Sequence, residues 1–141
     1  QSELSLIRSL GEMKLLVITE PWCGDSLASL PVLIKMGEIN SKWEVRILLR
    51  DENTDLMDRF LTNRGRAIPV FLFLAGDGSL ISRWGPRPGK AKAIFEDHRD
   101  KIESGEIDKK EVYLKLRKFY AVNRGKEIMN TIVDLFVKQK T

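Results

Sequence analysis

The chain has 141 residues, 43% hydrophobic and 31% charged, with 24 Lys+Arg against 20 Asp+Glu. That length supports one domain with a buried core and is short for two, and the composition excludes a disordered or fibrous chain. Residues 1–85 carry 10 basic and 11 acidic side chains, residues 86–141 carry 14 and 9, and the second part interleaves Glu96, Asp97, Asp100, Glu103, Glu106, Asp108 and Glu111 among its bases. This reads as a solvated helical face and argues against a nucleic-acid partner, because phosphate binding wants clustered, uncompensated base. No apolar run approaches the roughly 20 residues that span a bilayer, so no membrane partner is expected. One cysteine cannot form an internal disulfide, which fits a reducing, cytoplasmic setting. The chain begins at Gln1 rather than Met, and no secretory pattern is visible within it.

In chain order, Leu4, Leu6, Ile7 and Leu10 end a short helix at Gly11. Lys14 to Thr19 is a continuous apolar run, which suits a strand buried on both faces, as in a parallel sheet. Ser26 to Gly37 has helical spacing at Leu27, Leu30, Leu33 and Ile34, with Pro31 inside to kink it. Trp43 to Leu49 is a second strand, and Asp55 to Asn63 a second full helix with Leu56, Met57, Phe60 and Leu61 inward. Pro69 to Leu74 and Leu80 to Trp84 read as strands joined by a Gly76-Asp77-Gly78 hairpin turn. The order predicts parallel strands joined by helical crossovers, with an antiparallel edge. Gly85-Pro86-Arg87-Pro88-Gly89 breaks the chain. Beyond it, helices are expected over Lys90–Ile102, over Lys109–Val122 with a stripe of Val112, Leu114, Leu116, Phe119 and Tyr120, and after Gly125. The last helix carries apolar residues on more than one face, which suits packing on the sheet or a weak homodimer; otherwise a monomer is expected.

The chemistry concentrates at Trp22-Cys23-Gly24-Asp25-Ser26. A thiol that opens a helix sits on unpaired N–H groups at the positive end of the dipole, and both favour the reactive thiolate. A two-cysteine redox motif would place its resolving thiol at position 26, where this chain has Ser26. Ser26 suits either donation to a Cys23 thiolate or ordinary helix-start chemistry. Asp25 suits the helix dipole while opposing the thiolate by charge. Cys23 itself reads either as a partly exposed nucleophile or as a small residue left at a helix start. Glu20 is a candidate proton relay, though a solvated strand end explains it as well. His98, the only histidine, lies far from Cys23 in sequence, and one Cys with one His cannot close a zinc shell, so no metal is expected.

Three local patterns resemble the thioredoxin superfamily. Trp22-Cys23-Gly24 precedes a helix as in its W-C-G-x-C motif, Pro31 matches the proline that kinks the active-site helix, and Ile68-Pro69 opens a strand as does its cis-proline. Glu20 to Ser26, Trp84 to Pro88 and Tyr120 to Gly125 are similar to a bacterial thioredoxin-like subfamily that reads W-C-G-D and then a small residue. The resemblance implies a thioredoxin-like three-layer α/β sandwich with a central mixed sheet of about four strands. It implies one domain over 1–141: an N-terminal helix remnant (1–12), a core (13–88) and a C-terminal helical extension (89–141). It implies catalysis at Cys23 and Ser26, and substrate binding by Trp22, Gly24, Asp25, Ile68 and Pro69. Two departures stand out: Ser26 replaces the second cysteine, and Val17 replaces the family's buried aspartate. A dithiol cycle needs both thiols, so the expectation is monothiol exchange with a protein disulfide or glutathione, glutathione serving as co-substrate and no other cofactor. The alternative is a redox-inactive module that grips a protein or peptide in the same cleft.

Overall fold

The computed structural model describes residues 3–139. Its elements are α1 (Glu3–Ser9), β1 (Met13–Thr19), α2 (Gly24–Ile39), β2 (Trp43–Leu49), a 3-10 turn (Arg50–Glu52), α3 (Thr54–Met57), β3 (Val70–Leu74), β4 (Leu80–Trp84), α4 (Gly89–Glu96), α5 (Arg99–Glu103), α6 (Lys109–Asn123) and α7 (Lys126–Gln139). The strands form one mixed sheet in the order β2-β1-β3-β4. This is the thioredoxin-like α/β architecture, with further helices at the C-terminal end.

Strand alternation builds two cores. Leu15, Val17, Phe71 and Phe73 point to one face, where Leu33 and Met36 of α2, Ile7 of α1, and Ile128, Ile132 and Phe136 of α7 cover them. Phe71 stacks on Trp84 at 4.9 Å between centroids, and Phe73 meets Phe136 edge-on at 5.2 Å. The Trp84 indole N–H donates to Thr131 Oγ1 at 2.8 Å, which ties β4 to α7. Ile18, Val70 and Leu72 point to the other face and pack with Met57, Ile68 and Cys23. Buried Asn40 closes the far end by donating to the Ile7 and Leu10 carbonyls at 2.8 and 2.7 Å.

Four expectations need correction. First, β1 is parallel only to β2, and β3 runs antiparallel to β1, pairing Ile18 with Val70 and Lys14 with Leu74. Residues 50–69 start and finish at the same end of the sheet, because one turn of helix in α3 cannot carry the chain back along a seven-residue strand. Second, the helix predicted to Asn63 stops at Met57. Asn63 and Arg64 both have positive φ (49° and 66°) inside a bridge between Thr62 and Gly65, the signature of a tight two-residue turn, and Leu61 is left exposed. Third, the span from Lys90 to Ile102 divides into α4 and α5 at Asp97-His98. Fourth, the inward faces differ. Leu27, 70% exposed, and Ile34 point outward from α2, whose buried side is Ser26, Ser29, Leu33 and Met36. Leu114 is exposed because it lies about 200° around α6 from Val112, the buried residue that shares its side with Leu116.

Gly85 shows why the strand break is a glycine. Its φ is +113°, and a Cβ there would stand 2.2 Å from the Pro69 carbonyl oxygen. Gly85→Ala should therefore cost about 3 kcal/mol or more. Gly89→Ala, where nothing lies within 4 Å, should stay within about 0.5 kcal/mol. Chemical denaturation of the two variants beside the parent checks this.

Candidate functional site

Cys23 is the N-cap of α2, with extended backbone (φ −78°, ψ 119°), and its carbonyl accepts the Leu27 N–H at 3.1 Å. The free N–H groups of the first helical turn are thus beside its side chain. The residue is 8% exposed, more covered than a partly exposed nucleophile would be. The cover comes from the second core, since Ile18, Met57 and Ile68 pack in the same cluster. The thiol donates to the Ile68 carbonyl at 3.5 Å. The Ile68–Pro69 peptide bond is cis. The structure thus brings Cys23, Ile68 and Pro69 together as neighbours.

Ser26 is buried, and its hydroxyl pairs with that of Thr19 rather than with Cys23. Facing inward from the helix, it meets the end of β1. Gly24 starts the helix with open space around it. Trp22 is 63% exposed and carries the Arg50 guanidinium 5.1 Å above its ring. Glu20 is not a solvated strand end: it is buried, and its carboxylate accepts the Asp51 backbone N–H at 2.9 Å. His98 stands apart from Cys23, with Nδ1 2.7 Å from the Ile94 carbonyl oxygen and Nε2 3.0 Å from Lys115 Nζ.

Asp25 does far more than the sequence indicates. It is buried, and its Oδ2 accepts from Arg87 Nε at 3.0 Å while Oδ1 accepts from the Tyr120 hydroxyl at 2.9 Å. Arg87 in turn lies 4.5 Å from the centroid of the Phe95 ring. One carboxylate therefore links the first turn of α2, the segment after β4, and α6. Burial first, then the charge and hydrogen bond of Asp25, raise the Tyr120 hydroxyl far above the ordinary phenol range. From sequence, Arg87 between its two prolines is a candidate to line the cleft, which it does, and Tyr120 reads as part of an apolar helical stripe; neither reading pairs them with Asp25. Their meeting with Asp25 spans 62 and 95 residues, and no local pattern announces it.

Cys23 and Asp25 open onto a cleft of about 490 Å³, bounded by Trp22, Arg50, the 62–68 loop, Gly85 to Arg87, α4 and the start of α6. Among the described residues no three His, Cys, Asp or Glu side chains are grouped to hold a metal ion, and no helix is long and apolar enough to cross a membrane.

A model of the thioredoxin family matches residues 2–102. The chain belongs to the thioredoxin family. The match ends before α6, so Tyr120 lies outside it. A protein of unknown function from Pseudomonas aeruginosa has a similar solved structure, with a TM-score of 0.69 at 17% identity, over 97% of this chain and 73% of that one. An HIV epitope-scaffold is similar at a TM-score of 0.68 and 20% identity, over 98% of this chain and 74% of that one. Thioredoxin of Fasciola hepatica gives a TM-score of 0.45 at 20% identity, over 62% of this chain and 82% of that one. At such identities the likeness is one of fold. No curated protein sequence matches the chain.

Two outcomes follow from the Asp25 network. Arg87→Met leaves a buried carboxylate without its cation and should cost about 3–5 kcal/mol, part of which Arg87→Met combined with Asp25→Asn should recover, as urea denaturation would show. The unfolded chain releases the Tyr120 proton near pH 10 and the folded chain holds it, so this residue's share of stability is intact below about pH 10 and falls as pH rises further. Alkaline denaturation should accordingly be shallower in Tyr120→Phe than in the parent, once both curves are referred to their own neutral-pH stability.

Proposed function

We propose that this thioredoxin-like protein carries out monothiol thiol–disulfide exchange through Cys23, with Ser26 in the place of a resolving cysteine. The observation that carries this reading is the thiol at the N-cap of α2, 3.5 Å from the Ile68 carbonyl, on the wall of an open cleft. The sulfur stands beside the free N–H groups at the start of a 16-residue helix. Trp22, Gly24 and Asp25 flank the sulfur, and the backbone at Ile68-Pro69 offers an extended substrate an edge to lie along.

The thiolate attacks one sulfur of a disulfide X–S–S–Y. A Cys23–S–S–X bond forms, the S–S bond of the substrate breaks, and Y leaves as a thiolate with the electron pair, taking its proton from water. An external thiolate then attacks the mixed disulfide at the X sulfur and releases Cys23 as thiolate. Protein disulfides and glutathione disulfide are the substrates of this kind that the reading admits, and glutathione itself serves as the external thiol. Ser26 supports the site by fixing the helix start against Thr19.

Incubation with bis(2-hydroxyethyl) disulfide should add one mercaptoethanol unit to the native protein, seen by intact mass. The adduct should disappear on addition of excess thiol and be absent from Cys23→Ser. A native protein that gains no adduct while the urea-unfolded chain does would sink the proposal. The cover over Cys23 supports a second reading, a redox-inactive module that holds a peptide in the same cleft. Under it, Cys23→Ser captures partners as well as the parent does.

A further inference from the structure

The cleft beside Cys23 is strongly cationic. Arg50, Arg66, Arg87, Lys92, Arg99 and Lys109 line it, against only Asp25 and Glu96 among acids. The lining thus carries four more basic than acidic side chains. Four of the cations are already held. Arg87 pairs with Asp25 and Arg99 with Glu96, while Arg50 and Arg66 pair with Asp51 and Asp58, which do not line the cleft. Lys92 has no carboxylate partner among the described residues. Lys109 lies 5.6 Å from the Tyr113 ring centroid and also has none among them. Trp22, Phe95, Tyr113 and Ile68 supply apolar surface between the charges.

Unpaired lysines beside a concave, partly apolar wall attract anions and raise their local concentration. The cations come from two sides: Arg50 and Arg66 from the segment between β2 and β3, and Lys92, Arg99 and Lys109 from the helices that follow β4. A ligand with an anionic group at each end and a sulfur between them would meet both. The volume, about 490 Å³, is that of a small-molecule site.

Resting on the exchange reading of Cys23, we infer that its substrate is a small disulfide carrying at least two carboxylate or phosphate groups, read by Lys92, Lys109 and the arginines of this cleft. In the exchange step one half of the anionic disulfide becomes the group bonded to Cys23. The other half leaves as a thiolate with the electron pair, and an external thiol later displaces the bound half.

Three small symmetric disulfides test this: 3,3′-dithiodipropionate (dianion), bis(2-hydroxyethyl) disulfide (neutral) and cystamine (dication). The rate of adduct formation at Cys23, each divided by the rate with free N-acetylcysteine, should fall in that order at low salt. The dianion should lead the dication by about tenfold or more, and 1 M NaCl should shrink the gap. Lys92→Glu should narrow it too. Equal corrected rates, or a faster dication, overturn the inference while leaving the exchange reading intact. If no disulfide reacts, the exchange reading fails, and the anion site is judged separately in Cys23→Ser. There, 3,3′-dithiodipropionate should shift amide NMR signals of residues 62–68 and 89–99 saturably, and these shifts should be lost in Lys92→Glu. No saturable shift overturns the site. Competition by succinate against inorganic phosphate in the same titration separates a carboxylate-reading site from a phosphate-reading one.

Discussion

The site depends on one buried carboxylate. Asp25 stands in the first turn of α2, where the helix dipole favours its charge, yet a buried anion needs more than a dipole to offset its lost hydration. Arg87 and Tyr120 supply the rest, the first from the segment that leaves β4 and the second from α6. Because each partner arrives from a different element, the carboxylate fixes their relative positions, and with them one wall of the cleft. The same arrangement compensates the repulsion that Asp25 would exert on a thiolate two residues away, since Arg87 lies against its oxygen at 3.0 Å.

The sheet supplies the opposite wall. The turn at Thr62 to Gly65 sends the chain back toward Ile68, and β3 begins where β1 ends. The N-cap of α2 and the start of β3 therefore meet at one end of the sheet, which is why a thiol at position 23 touches a carbonyl 45 residues later. Gly85 seals the far side of that junction by admitting the Pro69 carbonyl where any side chain would collide. Thioredoxin-family architecture is thus compatible with a cleft to which α6, beyond the family match, adds Lys109 and Tyr113.

Local periodicity made much of this legible. β2 and β4 fall where alternation and turn residues place them, while the meeting of Trp22-Cys23-Gly24 with Ile68-Pro69 was implied by the family resemblance and not by periodicity. What escaped was whatever depends on long-range geometry. The direction of β3 follows from how little helix separates it from β2, and a stretch such as Leu56 to Leu61 carries helical spacing even though a two-residue turn at Asn63-Arg64 follows closely. The outward faces of Leu27 and Leu114 were misread because an apolar residue on a helix can sit on either side until the partner is known. The role of Asp25 was invisible for the same reason: an acid in a first helical turn already has a sufficient local explanation. The cationic cleft escaped because its members are scattered from residue 50 to residue 109, and only the fold brings them to one depression.

β2 closes the sheet on one side, and among the described residues no strand lies beyond its outer backbone groups. Such an edge is a template on which a second chain can grow, and Trp43 to Leu49 is otherwise rich in strand-forming residues. Glu44 and Arg46 interrupt that run with an exposed ion pair at 2.7 Å. Any strand approaching in register must carry matching charges or leave these two unhydrated. The pair contributes little to the fold's own stability, since both partners are open to solvent. Its weight falls instead on the chain's encounters with its own copies, where it keeps an apolar border from becoming a seam for aggregation.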